Sequence, residues 1–267
     1  MKFNLRPVAF VLVSTDHGSM LVNRHDYRLA GNSGIGVGHQ LLQKSSYDHN
    51  EVDLLLQLLE QRRQHFGDGV SAIDCGANIG VHTIEWAKLM HGWGEVIAIE
   101  AQERIFYALA GNITLNNCFN ARAIWAAVGA SSGSINIPVP DYFIPSSFGS
   151  MEIRETKSTE FIGQALDYSS EGTRQIQMIS IDDMALRRVD LIKIDVEGME
   201  MEALEGANNT IQNFKPILFV ENIKVNEKEL NNFLSLRGYK IFPLRGNSLA
   251  VHESDPISSM IQNTDPK

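Results

Sequence analysis

Cysteine is nearly absent from this chain: Cys75 and Cys118 are the only two in 267 residues. With no framework spacing between them, a disulfide scaffold is excluded and a reducing cytoplasm is the simplest expectation. Positive charge is in deficit, with 23 Lys+Arg against 32 Asp+Glu, a formal net charge of -9 and a pI near 5.4. A nucleic-acid binder usually carries a basic field that neutralises phosphates, so no nucleic-acid partner is expected. No apolar run approaches the roughly 20 residues of a membrane-spanning helix, and no membrane partner is expected either. The run Val8–Val13, preceded by Met1-Lys2 and Arg6, is too short for a usual signal peptide, and Ser14-Thr15-Asp16-His17-Gly18 follows it in place of a cleavage site. Internal repeats and low-complexity tracts are missing as well. What is present is an ordinary globular composition, 43% hydrophobic and 21% charged. A chain of this size buries roughly 70–75% of its unfolded surface without staples.

Punctuation along the chain divides it into three parts: an amino-terminal hairpin and loop extension over 1–46, a main domain over 47–252, and a frayed tail over 253–267. In the extension, Val8–Val13 and Ser19–Asn23 flank a turn, and Gly31–Gly38 reads as a flexible loop. Asn50–Phe66 places Val52, Leu55, Leu56, Leu58 and Leu59 on one face between an Asx start and Gly67, the pattern of an amphipathic helix. From residue 70 strands and helices alternate. Val70–Asp74, Val96–Ile99, Ala121–Val128, Leu191–Val196 and Ile217–Val220 read as strands, with helices over His82–Met90, Arg104–Asn117, Glu200–Asn208 and Glu227–Arg237. Tyr239–Phe242 and Leu249–His252 close the pattern, and Ser134–Val139 and Gln175–Ile179 are additional strands. Alternation of this kind predicts an α/β, Rossmann-like, mostly parallel sheet with helices on both faces. Pro140–Thr173 is too long for an ordinary connection and reads as a lid, an interface or a disordered insertion.

The sharpest segment is Ala72-Ile73-Asp74-Cys75-Gly76-Ala77-Asn78-Ile79-Gly80-Val81-His82-Thr83, at a strand-to-helix junction. Backbone N–H groups are free at such a junction, and glycine lets a ligand approach closely. A diphosphate fingerprint would read G-x-G-x-x-G. Here Asp74 opens the turn and Gly76 and Gly80 follow. A carboxylate repels a diphosphate but suits a ligand carrying an ammonium group, such as S-adenosylmethionine. Glu100 closes the next strand, where an acidic side chain accepts the ribose hydroxyls of an adenosine. The expected cofactor contacts are Asp74, Gly76, Ala77, Asn78, Gly80, His82, Thr83, Glu100, Ala101 and Asp195.

The second informative stretch runs from Val189 to Glu200, V-D-L-I-K-I-D-V-E-G-M-E. Strand alternation puts Leu191, Lys193, Asp195 and Glu197 on one side and Ile192, Ile194 and Val196 on the other. Charges on a central strand are costly unless they pair or face a cleft, and a Lys193–Asp195 ion pair is one reading of these residues. The other is a ligand crevice, since open parallel sheets bind outside the carboxyl ends of their strands. Asp195, Glu197 and Glu221 are then the candidate catalytic residues. A variant with Asp195, Glu221 and Asn222 offers three oxygen ligands of the kind Mg²⁺ prefers, though no metal is expected.

I-D-C-G-A-N-I-G-V-H-T, V-I-A-I-E, I-D-D-M, L-I-K-I-D-V-E-G-M-E and F-V-E-N, taken in order over roughly residues 47–245, resemble the FkbM-type methyltransferases. The resemblance implies a seven-stranded sheet whose last strand is antiparallel. It also implies S-adenosylmethionine as cofactor and methyl transfer, usually to a hydroxyl oxygen, with a small-molecule or saccharide acceptor. The amino-terminal hairpin and Pro140–Thr173 lie outside the shared motifs, and acceptor choice is expected there. Two other classes stay open. One is a nicotinamide-dependent oxidoreductase or epimerase, against which stand the missing G-x-G-x-x-G and Tyr-x-x-x-Lys. The other is a non-catalytic adenosine-ligand-binding protein. The acceptor and the oligomeric state are not legible.

Overall fold

The structure, a computed structural model, describes residues 7–31 and 33–261. Met1–Arg6 and residues 262–267, parts of the expected amino-terminal extension and frayed tail, lie outside the described residues. The expected hairpin is present as β1 (Phe10–Thr15) and β2 (Gly18–Asn23), paired antiparallel. The stretch read as a flexible loop is instead built. It forms a small ribbon, β3 (Arg28–Ala30) with β4 (Ser33–Ile35), followed by helix α1 (Val37–Lys44). Asp26, 3% exposed, organises it: its carboxylate accepts the Gly38 N–H at 2.8 Å, and its carbonyl oxygen accepts the His39 N–H at 3.0 Å. A free helix N-terminus is thereby satisfied from outside the helix, which no local pattern announces.

Helix α2 (His49–Phe66) buries Val52, Leu55, Leu58 and Leu59 and stops at Gly67. Then come β5 (Val70–Cys75), α3 (Val81–Leu89), β6 (Gly94–Glu100), α4 (Glu103–Leu115) and β7 (Ala121–Trp125). The strand expected over Ala121–Val128 breaks at Ala126. The Ala126 N–H donates to the Glu100 carbonyl at 3.1 Å, and the chain then leaves the central sheet. Its continuation β8 (Ala127–Val128) joins β9 (Gly133–Pro138) and β10 (Thr173–Ile179) in a separate three-stranded sheet of order β8-β10-β9. Between β9 and β10 the chain runs without a long element, yet Phe148, Met151, Ile153 and Ile162 are buried.

After β11 (Leu191–Ile194), the helix expected over Glu200–Asn208 is two: α5 (Glu200–Glu205) and α6 (Asn208–Phe214). Asp182 explains the split. Its carboxylate accepts the N–H groups of Asn209 at 2.9 Å and Thr210 at 2.8 Å, capping a new helix from a distant turn. The chain closes with β12 (Ile217–Glu221), α7 (Glu227–Ser235), β13 (Tyr239–Leu244) and β14 (Asn247–His252).

The central sheet has seven strands in the order β13-β14-β12-β11-β5-β6-β7. Its pairs are parallel except those made by β14. Strand alternation sends Ala72, Leu191 and Phe219 into one core with residues of α2 and α3, and Ile73, Ile192 and Val220 into another with residues of α5, α6 and α7. Burial on both faces is why β5 is buried along its whole length. The tail does not fray at its start: Asp255 and Ile257 are buried, and Arg62 of α2 pairs with Asp255. Among the described residues no helix is long and apolar enough to cross a membrane.

Candidate active site

Beyond the carboxyl ends of β5, β6, β11 and β12 lies a crevice of about 960 Å³. Its floor on one side is the Gly turn. Gly76, with φ +77, has no room for a side chain, since a Cβ there would overlap the Asp195 carbonyl oxygen. The Asp195 N–H in turn donates to the Cys75 carbonyl at 3.0 Å. The turn after β5 and the loop after β11 therefore touch backbone to backbone.

Of the residues expected to hold a cofactor, Gly76, Ala77, Asn78, Gly80, His82, Glu100, Ala101 and Asp195 line this crevice. Asp74 and Thr83 do not. Asp74 is the fifth residue of a six-residue strand, and alternation turns its side chain toward α3. It is 1% exposed and accepts the Thr83 hydroxyl at 2.6 Å, while Lys193 lies opposite it on β11. The carboxylate expected to meet an ammonium group therefore braces the turn from beneath. His82 is not a surface residue: it is 6% exposed, and its Nε2 lies 3.1 Å from Glu51 Oε1.

Glu100 sits at the end of β6 as expected and accepts the N–H groups of Asn78 at 3.0 Å and Gln102 at 2.7 Å. Burial pushes its carboxyl up to about 7, against the pull of those two donors. Gln102, which sequence reading passed over, also lines the crevice, and its amide donates to the Phe148 carbonyl at 2.8 Å.

Across from the turn stand Asp195, Glu197 and Glu221, each offering an oxygen within 4.8 Å of the others. The expected Lys193–Asp195 ion pair exists, at 2.7 Å, and Asp195 still faces the crevice. Burial works against the Lys193 ammonium, but Asp195, Asp74 and Glu51 more than offset it and hold its pKa above the usual lysine range. Glu197 occupies the left-handed region at φ 54, followed by Gly198 at φ 96. The Glu200 carboxylate fixes this bend by accepting the N–H groups of Val196 at 3.1 Å and Gly198 at 3.0 Å.

Burial, then Asp195 and Glu200, push the Glu221 carboxyl up to about 8, with Lys193 and Lys224 pulling the other way. Its Oε2 is buried without a hydrogen-bond partner. Asn222 does not line the crevice; its amide points to Ser248 and donates to Oγ at 3.0 Å. The oxygen trio is thus Asp195, Glu197 and Glu221, and two lysines already balance part of its charge. Tyr47, Glu51 and Asn247 form a further wall, with the Asn247 amide donating to Glu51 at 3.0 Å. None of these three carried a sequence signal, since each reaches the crevice through tertiary packing.

Residues 74–241 match the family model described as the methyltransferase FkbM domain. Over 155 residues the chain is 26% identical to methyltransferase sdnD of Sordaria araneosa, covering 51% of this chain and 60% of that protein. Over 189 residues it is 27% identical to the hexuronic acid methyltransferase AglP of Haloferax volcanii, covering 69% and 68% of the two. The match to the Sordaria protein thus spans less than two thirds of that relative's length. The crystal structure of a methyltransferase FkbM from Methylobacillus flagellatus gives a TM-score of 0.48 at 20% identity, covering 72% of this chain and 48% of that one.

Proposed function

Because the chain belongs to the FkbM methyltransferase family, we propose that it transfers a methyl group from S-adenosylmethionine to a hydroxyl oxygen of a small-molecule or saccharide acceptor. The observation that carries this reading is the pairing across one crevice of the Gly turn and Glu100 with a crowded, partly unpaired trio of carboxylates. When bound, S-adenosylmethionine supplies a methyl carbon activated by a sulfonium. The turn Gly76–Gly80 and Glu100 hold its adenosine end, Glu100 accepting ribose hydroxyls.

The other wall prepares the nucleophile. In-line displacement requires the attacking oxygen about 3–3.5 Å from the methyl carbon, so positioning is the main task. As the C–O bond forms and the S–C bond breaks, the hydroxyl proton passes to a carboxylate. Glu221 is the base in this reading. It lines the crevice, has an oxygen free of partners, and its carboxyl is raised to about 8, a stronger base than an ordinary glutamate. Asp195 and Glu197 accept hydrogen bonds from the acceptor and orient it. A saccharide, rich in hydroxyl donors, suits a wall of three carboxylates, and the Haloferax relative is named for an acceptor of the saccharide class. No step is assigned to a metal.

Calorimetric titration with S-adenosylhomocysteine, run beside NAD⁺ and NADP⁺, tests the reading. Saturable micromolar binding of S-adenosylhomocysteine alone is expected. Binding of a nicotinamide nucleotide alone would overturn it.

A further inference from the structure

Lys224 follows β12 in the loop before α7 and does not line the crevice, yet four oxygen atoms from two segments converge on it. Its ammonium pairs with Glu197, donates to the Ser150 carbonyl at 3.0 Å, and lies 3.8 Å from Glu152 and 3.9 Å from Glu160. Its side chain is 14% exposed. Glu160 is shared with Arg28 of β3, so one charge network joins the amino-terminal ribbon, the long segment between β9 and β10, and the loop after β11.

We infer that Lys224 is a positioning residue, which fastens the Ser150–Glu160 wall to the acid loop and thereby sets the orientation of Glu197. Three features of the geometry support this. Glu197 holds a left-handed backbone conformation that a non-glycine residue adopts at a cost, and such a conformation persists where surrounding contacts over-determine it. Among the described residues, Lys224 is the cation that contacts the Glu197 side chain. On the wall side, Ser147, Gly149, Ser150, Met151 and Ile153 line the crevice, while the segment that carries them has no long helix or strand of its own. The Lys224 contacts to Ser150, Glu152 and Glu160 bind it from behind.

The electrostatics follow from the same placement. Asp195, Glu200, Lys193 and Lys224 act on Glu221, with Glu197 facing it in the same cluster, and Glu197, Glu152 and Glu160 surround Lys224. Removing the Lys224 ammonium leaves Asp195, Glu197 and Glu221 facing one another with Lys193 alone to balance them. Both Glu197 and Glu221 then hold their protons to higher pH.

The inference rests on the proposed methyl transfer only for its kinetic meaning, and its test is separable. Full-length Lys224→Met and Lys224→Arg are compared with the parent chain by hydrogen exchange and by a carbon-13 carboxyl titration of Glu221, with S-adenosylhomocysteine calorimetry as a control on the cofactor half. For Lys224→Met, exchange over 147–162 and 196–198 is expected to rise at least tenfold, and the Glu221 titration to move to higher pH. S-adenosylhomocysteine affinity should stay within about twofold of the parent protein's value. Lys224→Arg, which keeps the charge, should restore the titration. Unchanged exchange in Lys224→Met, or an unmoved Glu221 titration in a folded variant, would overturn the inference. Failure of every protein to bind S-adenosylhomocysteine would count against the proposed function and leave the Lys224 result standing.

Discussion

An aspartate flanks strand β11 at each end, one fully buried and the other half-open to the crevice, and the two live in opposite circumstances. Asp190, just before the strand, is fully buried and accepts Arg62 Nε at 3.1 Å, Arg188 at 2.7 and 3.0 Å, and the Ser71 N–H at 3.0 Å. Arg62 also pairs with Asp255, which ties the chain's tail to α2. At the other end Asp195 stands in a crowd of acids with too few partners, where Glu221 is driven up to about 8 and keeps an oxygen unpaired. Saturated pairing locks a structure; incomplete pairing stores reactivity. Perturbed titration clusters where function needs it, and the two ends of one strand display the contrast with the fold held constant.

The comparison breaks most sharply at Glu221. Glu221→Gln should lower the rate of methyl transfer by roughly 10²–10⁴-fold, the usual contribution of a positioned base, with S-adenosylhomocysteine affinity unchanged. Turnover at the parent rate in that variant would remove Glu221 from the role. The same substitution should help folding in alkali. The folded-state value of about 8 lies above the ordinary 4.5, so the carboxyl's favourable contribution is complete below 4.5 and lost as pH rises through 8. A neutral amide keeps it, and denaturant midpoints above pH 8 should be higher for the variant.

At the saturated end, Arg62→Met should cost about 3–5 kcal/mol in urea unfolding, because it strands Asp255 and strips a donor from Asp190. S-adenosylhomocysteine binding at the distant crevice should not move. A cost under about 1 kcal/mol would mean that the cluster is dispensable. The smallest effect concerns Glu100, whose burial pushes it up to about 7. If its ionised form holds the ribose, affinity for S-adenosylhomocysteine should fall about tenfold from pH 8 to pH 6, and Glu100→Gln should abolish that slope. A parent protein with flat affinity over this range would refute the role.

Periodicity made most of the architecture legible. Period-two runs such as Leu191–Ile194 and Asx-to-Gly bounded stretches such as α2 carry their assignment locally. The Gly turn and Glu100 were visible for the same reason, since both sit at strand ends that the pattern locates. What escaped was decided from far away. Asp182 caps α6 and Asp26 caps α1 from other segments, so one helix became two and a loop became a helix. Alternation, correctly read, should have turned Asp74 under the turn; position beside glycines outweighed it. Asn222 and Tyr47 depended on neighbours, Ser248 and the crevice itself, that no local window contains.

The bare Cα of Gly76 against the Asp195 carbonyl works as a gauge block between the two halves of the crevice. Their spacing is machined in main chain, with no side chain to wear or swap. Drift in the surrounding segments can therefore refit the chamber to new guests while the stroke between donor and recipient stays at one setting.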